Sequence, residues 1–158
     1  MKGNPEMVKV LNELLSDELT AIHQYMVESE MCENWGYTKL YAYFRKIAMD
    51  EMHHAEWLIE RILFFEGQPY IKLGELNIGA TVPEMVKSVA TSESEAVQAY
   101  NKAIALAQQI QDQGTVDLLT KILKMEEGHI DWAEAQLDQI EQMGLANYLS
   151  MQTEGASE

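Results

Sequence analysis

The chain has 158 residues and a formal net charge of −15, and hydrophobic residues make up 47% of it. This composition supplies enough apolar side chains for a packed core and argues against intrinsic disorder. The acidity argues against nucleic acid as a partner, because a phosphate backbone is bound through Lys and Arg. The sequence contains neither a membrane-spanning apolar run nor a signal-peptide pattern, so we expect a cytoplasmic protein.

Apolar residues recur at helical spacing in four long segments that Gly and Pro residues separate. We predict helices, in chain order, over residues 5–35, 38–66, 82–111, 115–143 and 145–151. Gly36 and Gly114 indicate tight turns, whereas residues 67–80 form a connection long enough to cross from one end of a bundle to the other. Residues 152–158 are a small, polar tail. The prediction is a single all-α domain over residues 1–158, a four-helix bundle with a long crossover and a short fifth helix.

Each of the four long helices carries a glutamate within its apolar stripe, at a position that faces the core of the bundle. The second and fourth helices contain the same Glu-x-x-His pattern. In each case a lone glutamate lies in the preceding helix, and the number of residues from it to the glutamate of the pattern is the same in both halves. The two matching halves are Glu18, Glu51 and His54, and then Glu93, Glu126 and His129.

This set of six side chains predicts a site for two metal ions. Four carboxylates in a bundle core without a cation would carry a large desolvation cost, and a Glu-x-x-His pair from each half is the ligand pattern of dimetal bundles. Carboxylate and imidazole ligands suit iron or manganese. By the symmetry of the halves, we assign Glu51 and Glu126 as bridging ligands and Glu18 and Glu93 as terminal ones. A single Glu-x-x-His would more often be a surface pair; the equal separations favour the metal site.

The single cysteine, Cys32, excludes an intrachain disulfide and a Cys-x-x-Cys iron site. Its expected role is that of a small, buried apolar residue. A reducing compartment suits such a chain.

With these residues in place, the chain resembles the bacterioferritins over nearly its whole length. The similar segments are MKGNPEMVKVLNELLSDELTAIHQY, MDEMHHAEWLIERILFFEG, LGELNIG and EEGHIDWAEAQLDQIEQMGLANYL. The resemblance implies a ferritin-like fold and a hollow homo-oligomeric shell of two dozen subunits built from dimers. It also implies a ferroxidase that oxidises Fe(II) with O₂ or H₂O₂ at two iron ions per subunit and stores the ferric mineral inside.

The resemblance further implies a haem b shared between two subunits, with Met52 of each as an axial ligand and a small ferredoxin as electron donor. Met52 follows Glu51 directly, so it points away from the predicted metal site. On a twofold axis, one methionine per subunit supplies two ligands. The family commonly has Asn at the position of His23 and Lys at that of His53, so haem binding is expected to differ here.

The resemblance also concerns aromatic residues near the metal pair and residues that line the inner surface of the shell. Tyr25 and Trp132 resemble aromatic residues that lie near the metal pair and supply single electrons, although core packing would also explain them. Members often pair a His at position 46 with Asp50 as an inner iron site. Here Lys46 takes that place, and its charge would repel iron.

Two other functions fit parts of the pattern. A rubrerythrin-like peroxidase would use a similar metal pair without storing iron, although it needs a Cys-x-x-Cys electron-delivery site that the sequence lacks. A haem-carrying structural subunit of a mixed shell would need no active metal pair, and the intact ligand set argues against it.

Overall fold

The computed structural model describes residues 1–153, which form five α-helices. The helices are α1 (Pro5–Asn34), α2 (Thr38–Phe64), α3 (Val82–Gln109), α4 (Gln113–Met143) and α5 (Leu145–Gln152). Short turns join α1 to α2 and α3 to α4, and a long crossover joins the two hairpins. The all-α, ferritin-like four-helix bundle with a short fifth helix is therefore confirmed. None of these helices is long and apolar enough to cross a membrane.

The helix ends differ from the sequence prediction in ways that local chemistry explains. The fourth helix begins two residues earlier than predicted, because Asp112 caps it by accepting a hydrogen bond from the Thr115 amide at 3.1 Å. The sequence prediction placed Gly114 in the connection before this helix. It lies instead in the first helical turn. A side chain there would meet Arg61 Nη2 at 2.8 Å, and Arg61 Nη2 itself donates to Asp112 Oδ1 at 2.7 Å.

The first three helices end one or two residues before their predicted limits. Gly36 takes a left-handed conformation with φ +79° after α1, as expected of a terminating glycine. After α2 and α3, however, the left-handed residues are Glu66 and Gln111, with φ 58° and 59°. The helix α5 extends to Gln152, one residue beyond the prediction, and residues 154–158 of the predicted tail lie outside the described part of the chain.

The crossover is fastened along α1 by polar side chains spaced four residues apart. Asn12 Oδ1 accepts from the Tyr70 amide at 3.1 Å, and Ser16 Oγ donates to the Lys72 carbonyl at 2.5 Å. The series continues through Thr20, Gln24 and Glu28, which accept hydrogen bonds from the amides of Gly74 at 2.8 Å, Asn77 at 3.1 Å and Gly79 at 3.2 Å. We call these five α1 residues the polar ladder.

The apolar core consists of two clusters of buried side chains, one toward each end of the bundle. The first cluster takes residues from the start of α1, the end of α2, the end of α3 and the start of α4. The second takes residues from the opposite halves of these helices and includes Tyr148 of α5. On each of the four long helices, the predicted metal ligands lie between the two clusters. The bundle therefore contains a polar layer at mid-height.

Candidate metal centre

The six side chains of the two Glu-x-x-His halves lie together in the mid-bundle layer, and each is at most 4% exposed. They fall into two overlapping groups of four, and within each group one ligand atom per residue lies within 4.8 Å of all the others. The first group combines Glu18 and His54 with the shared pair Glu51 and Glu126. The second combines Glu93 and His129 with the same shared pair. Both groups together form what we call the carboxylate cluster.

The Nδ1 atom of each imidazole faces three carboxylates. His54 Nδ1 lies 3.0 Å from Glu51 Oε2, 3.0 Å from Glu126 Oε1 and 3.5 Å from Glu18 Oε1. The opposite imidazole repeats this arrangement: His129 Nδ1 lies 3.0 Å from Glu51 Oε1, 3.1 Å from Glu126 Oε2 and 3.6 Å from Glu93 Oε1. A ring nitrogen carries at most one proton, so neither imidazole satisfies all its neighbours.

Two carboxylate oxygens in the cluster, Glu51 Oε1 and Glu126 Oε1, are buried and accept no well-aligned hydrogen bond, although an imidazole nitrogen lies near each. Leaving a buried charged acceptor unsatisfied is costly. Both oxygens belong to the residues that the two groups share. A pair of cations between the groups would satisfy them, so the donor set fits two metal ions.

Burial and mutual repulsion disturb the protonation of the cluster. Burial alone would lower the pKa of His54, but hydrogen bonds to carboxylates raise it to about 12. Burial raises the pKa of Glu51 well above its ordinary value, reinforced by the charge of Glu18. Burial would also raise the pKa of Glu126, but hydrogen bonds from His129 and His54 lower it further than burial raises it. Protons on His54 and Glu51 therefore offset part of the negative charge of the cluster.

Two tyrosines complete the cluster in a crossed arrangement. The Tyr25 hydroxyl of α1 donates to Glu93 Oε1 of α3 at 2.5 Å, and the Tyr100 hydroxyl of α3 donates to Glu18 Oε1 of α1. Both phenols are almost completely buried, and burial raises both pKa values well above the ordinary one. Each tyrosine thus donates to the lone glutamate of the other half.

The outer ring nitrogens of the two imidazoles have different partners. His129 Nε2 donates to Asp50 Oδ2 at 3.1 Å, and the same oxygen accepts from Lys46 Nζ at 2.8 Å. Partial burial would raise the pKa of Asp50, but these two hydrogen bonds lower it. His54 Nε2 instead lies 3.3 Å from the thioether sulfur of Met125.

An aromatic chain leads from the cluster toward the surface. Tyr25 lies 6.5 Å from Phe44 between ring centroids, and Phe44 lies 6.1 Å edge-on from Trp132. Trp132 stacks on the half-buried Tyr43 at 3.6 Å. Trp132 is therefore not in the cluster, but it is connected to it through packed rings.

The remaining residues singled out in the sequence lie outside the cluster. Met52 is half-buried, on a different face of α2 from Glu51. His53 is half-exposed, and its Nδ1 lies 3.6 Å from Glu56 Oε2. His23 is half-buried, and its Nδ1 donates to the Leu19 carbonyl at 2.6 Å. Cys32 is fully buried in the second core cluster, and burial raises the pKa of its thiol to about 12.

A groove of about 780 Å³ lies between α1, α3 and the crossover. Its lining includes the cluster residues Glu18, Glu51, Glu93 and Glu126, together with crossover residues from Gly74 to Gly79. Acidic side chains farther along its lining are Asp17, Glu75, Glu84 and Glu95. The cluster is therefore connected to an acidic surface.

The sequence prediction missed three contacts of the cluster. The separation from Glu93 to Tyr100 equals that from Glu18 to Tyr25. The internal repeat could therefore have predicted that Tyr100 contacts the cluster. Asp50 was considered only as an inner-surface ligand, and its hydrogen bond to His129 depends on the packing of α2 against α4. Met125 had no signal beyond its place beside Glu126.

Comparisons with known proteins agree with this geometry. A family model described as a ferritin-like domain matches residues 8–143. A bacterioferritin from Mycolicibacterium paratuberculosis is 41% identical over 94% of this chain and 94% of its own length. Bacterial ferritins from Pseudomonas aeruginosa and from Synechocystis are 40% and 43% identical, each over 96% of this chain and 99% of its own length. The chain belongs to the ferritin family and, within it, to the bacterioferritins.

Proposed function

We propose that this chain stores iron, and that it oxidises Fe(II) to Fe(III) at the carboxylate cluster with O₂ or H₂O₂ as the oxidant. The observation that carries the proposal is the pair of overlapping ligand groups, which share two glutamates with unsatisfied buried oxygens. Membership of the bacterioferritins supports the storage role.

Charge and ligand type support iron as the substrate. Four ionised carboxylates balance two divalent cations when both imidazoles are neutral, so a loaded cluster has no net charge. Carboxylate oxygens are hard ligands that favour the ferric product. In this proposal Glu51 and Glu126 bridge the ions, Glu18 and Glu93 are terminal ligands, and each ion takes one imidazole, from His54 or His129.

The acidic groove is the proposed route for incoming Fe(II). The lining carries eight acidic side chains and one basic one, Lys87, and a predominantly acidic cleft raises the local concentration of cations. Asp17 lies in this lining next to the cluster, and its pKa is raised by burial and then by the charges of Glu18, Glu13 and Glu95. This crowding of carboxylates attracts cations toward the cluster.

Tyr25 is the proposed source of a single electron during oxidation. Its hydroxyl donates to Glu93, and its ring is the first of the aromatic chain that continues through Phe44 to Trp132. Tyr100 makes the equivalent hydrogen bond to Glu18, which makes it a matched control. We expect Tyr25→Phe to lose a tyrosyl radical signal on iron oxidation, and Tyr100→Phe to retain it. Retention of the radical signal in Tyr25→Phe would refute the proposal that Tyr25 supplies the electron.

A haem b between two subunits is the proposed additional cofactor. Met52 is half-buried on a face of α2 away from the cluster, and Met49, one turn before it, is 41% exposed. The thioether of Met52, together with that of a second copy of the chain, would hold the haem iron. When bound, haem supplies one-electron transfer, for which a small ferredoxin is the proposed donor. Assembly into a shell of two dozen copies belongs to the same proposal.

The ferroxidase proposal is tested by measuring Fe(II) oxidation, from the rise in ferric absorbance, in Glu18→Ala and His129→Ala. Both variants remove a ligand, so we expect losses of more than about tenfold while particle size is unchanged. His53→Ala is the matched control, because His53 is half-exposed next to His54 and outside the cluster. Wild-type oxidation rates in both ligand variants would refute the proposal.

Storage is separated from a peroxidase without storage by iron retention. We expect the wild-type chain, expressed alone, to form large particles that keep ferric iron through size-exclusion chromatography. Oxidation without retained iron would favour the peroxidase.

A further inference from the structure

The two halves of the carboxylate cluster have matching ligands, but the outer ring nitrogens of their imidazoles have different partners. On one side, His129 Nε2 donates to a carboxylate, Asp50 Oδ2, at 3.1 Å. On the other side, His54 Nε2 meets a thioether, Met125 Sδ, at 3.3 Å. The inner Nδ1 atoms of the two rings face their carboxylates at nearly the same distances, from 3.0 to 3.6 Å. Among the contacts of the two imidazoles, the asymmetry therefore lies in the outer ones.

Asp50 is itself held in place. Its Oδ2 accepts from Lys46 Nζ at 2.8 Å, one turn earlier on α2, as well as from His129 of α4. The Asp50 side chain is 18% exposed, whereas that of Lys46 is 63% exposed. The lysine thus approaches from the surface and the imidazole from the bundle interior. This chain of contacts orients the carboxylate toward His129.

The chemical consequences of the two outer partners differ. A carboxylate behind a metal-binding imidazole fixes the ring orientation and the tautomer with Nδ1 free for the metal, and it increases the basicity of the ligand. A thioether is a weak hydrogen-bond acceptor and does little of this. The His129 ring is therefore preorganised for a metal ion, and the His54 ring is not.

We propose that Asp50, oriented by Lys46, is a positioning residue for His129 and makes the two metal positions unequal. The position formed by Glu51, Glu93, Glu126 and His129 fills first and binds more tightly than the position formed by Glu18, Glu51, Glu126 and His54. This inference rests on the proposed function, since it assumes that the cluster binds two metal ions.

The test is a titration of the metal-free full-length protein with Co²⁺, followed by visible absorbance and calorimetry. Co²⁺ has visible bands, and it does not undergo the oxidation that follows Fe(II) binding. For the wild type we expect two steps, each of one ion per subunit, with separate affinities. In Asp50→Asn, which loses the charge but keeps an acceptor, and in Asp50→Ala, which loses both, the tighter step weakens progressively, by about 10- to 100-fold in Asp50→Ala. The weaker step is unchanged.

Two matched controls separate positioning from general effects. Asp131→Asn removes the same charge from an exposed residue two positions after His129, and we expect both steps to remain as in the wild type. Met125→Leu replaces the thioether with a side chain of similar volume, and we expect it to leave the tighter step unchanged. Particle size and the helical circular dichroism signal of each variant check that the fold is intact.

The outcomes distinguish the inference from the function on which it rests. Equal weakening of both steps in Asp50→Ala, no weakening, or loss of the tighter step in Met125→Leu would overturn the inference while the metal site stands. A wild-type titration with two indistinguishable steps would also overturn it. Failure of the wild type to bind Co²⁺ in the cluster would overturn the proposed function together with the inference.

Discussion

Within residues 1–153, two places leave a buried carboxylate oxygen without a hydrogen-bond partner. One is the carboxylate cluster at mid-height, with Glu51 Oε1 and Glu126 Oε1. The other is Glu28 at the end of the polar ladder, where Oε1 accepts from the Gly79 amide and from Gln24, and Oε2 has no partner. Glu28 is 0% exposed, so its burial is as complete as that of the cluster.

The difference lies in how each place relieves the charge. Glu28 is a single carboxyl beside an amide and a backbone N–H, and burial raises its pKa to about 7, so one proton neutralises it. In the cluster, four carboxylates share two imidazoles, and Glu126 is kept ionised by both of them. One proton cannot balance that group, whereas two divalent cations can. An unsatisfied buried oxygen alone is thus weak evidence for a metal; a convergent set of them is strong evidence.

The largest expected effect comes from removing one shared charge from the cluster. Glu126→Gln preserves the shape of the side chain but removes the charge of a residue that both candidate groups share, so we expect Fe(II) oxidation to fall by more than about tenfold. Its matched control is Glu127→Gln, because Glu127 is the exposed neighbour of Glu126. Comparable rates in the two variants would contradict the assignment of Glu126 as a bridging ligand.

Metal binding should stabilise the fold through the cluster. A ligand at about 1,000 times its Kd adds about 4 kcal/mol, which for a domain of this size raises Tm by about 8 to 16 °C. We expect Co²⁺ to produce such a shift in the wild type and in Glu28→Gln, measured at one fixed protein concentration. In Glu126→Gln the shift should be much smaller. A loss of the shift in Glu28→Gln would show that Glu28 also takes part in metal binding.

The smallest expected effect is the pH dependence that Glu28 contributes. Its pKa is raised from 4.5 to about 7 by burial, so between these values the folded chain holds a proton that the unfolded chain releases. The free energy of unfolding therefore falls as the pH rises from about 5 to about 7, by about 1 to 3 kcal/mol. Below that window the contribution is fully present, and above it the contribution is lost.

Glu28→Gln tests this directly, because glutamine keeps an oxygen for the Gly79 amide and does not titrate. We expect its Tm to equal that of the wild type near pH 5 and to exceed it by a few degrees at pH 8, in metal-free protein. The exposed Glu30→Gln serves as the control and should follow the wild type at both values. A variant as pH-dependent as the wild type would show that Glu28 is not the titrating group.

The bundle and the cluster were predictable because their signals are periodic and repeated. Each glutamate interrupts an apolar stripe at helical spacing, and the equal separation in the two halves indicates that Glu18 and Glu93 have equivalent places. The placement of these side chains in one layer follows from that pattern. Their role as iron ligands and the role of Met52 as a haem ligand stay predictions.

What the sequence did not reveal depends on contacts between elements. The start of α4 is set by Asp112, whose carboxylate both caps the helix and binds Arg61 of α2. The hydrogen bond between Asp50 and His129 likewise joins two helices, and no local sequence pattern predicts it. The polar ladder did have a periodic signal, since its members recur every four residues along α1 next to the metal-ligand stripe.

The polar ladder has a consequence for changes in chain length. Four helical residues rise about 6 Å, and two extended residues advance about 6.6 Å, so the helix and the crossover keep nearly the same step. The partners of Asn12, Ser16 and Thr20 are accordingly two residues apart, at Tyr70, Lys72 and Gly74. A single-residue insertion or deletion there would shift every later contact out of phase. Variants that alter this segment by one residue should therefore misfold more readily than those with a point substitution at Ile71, which is 81% exposed.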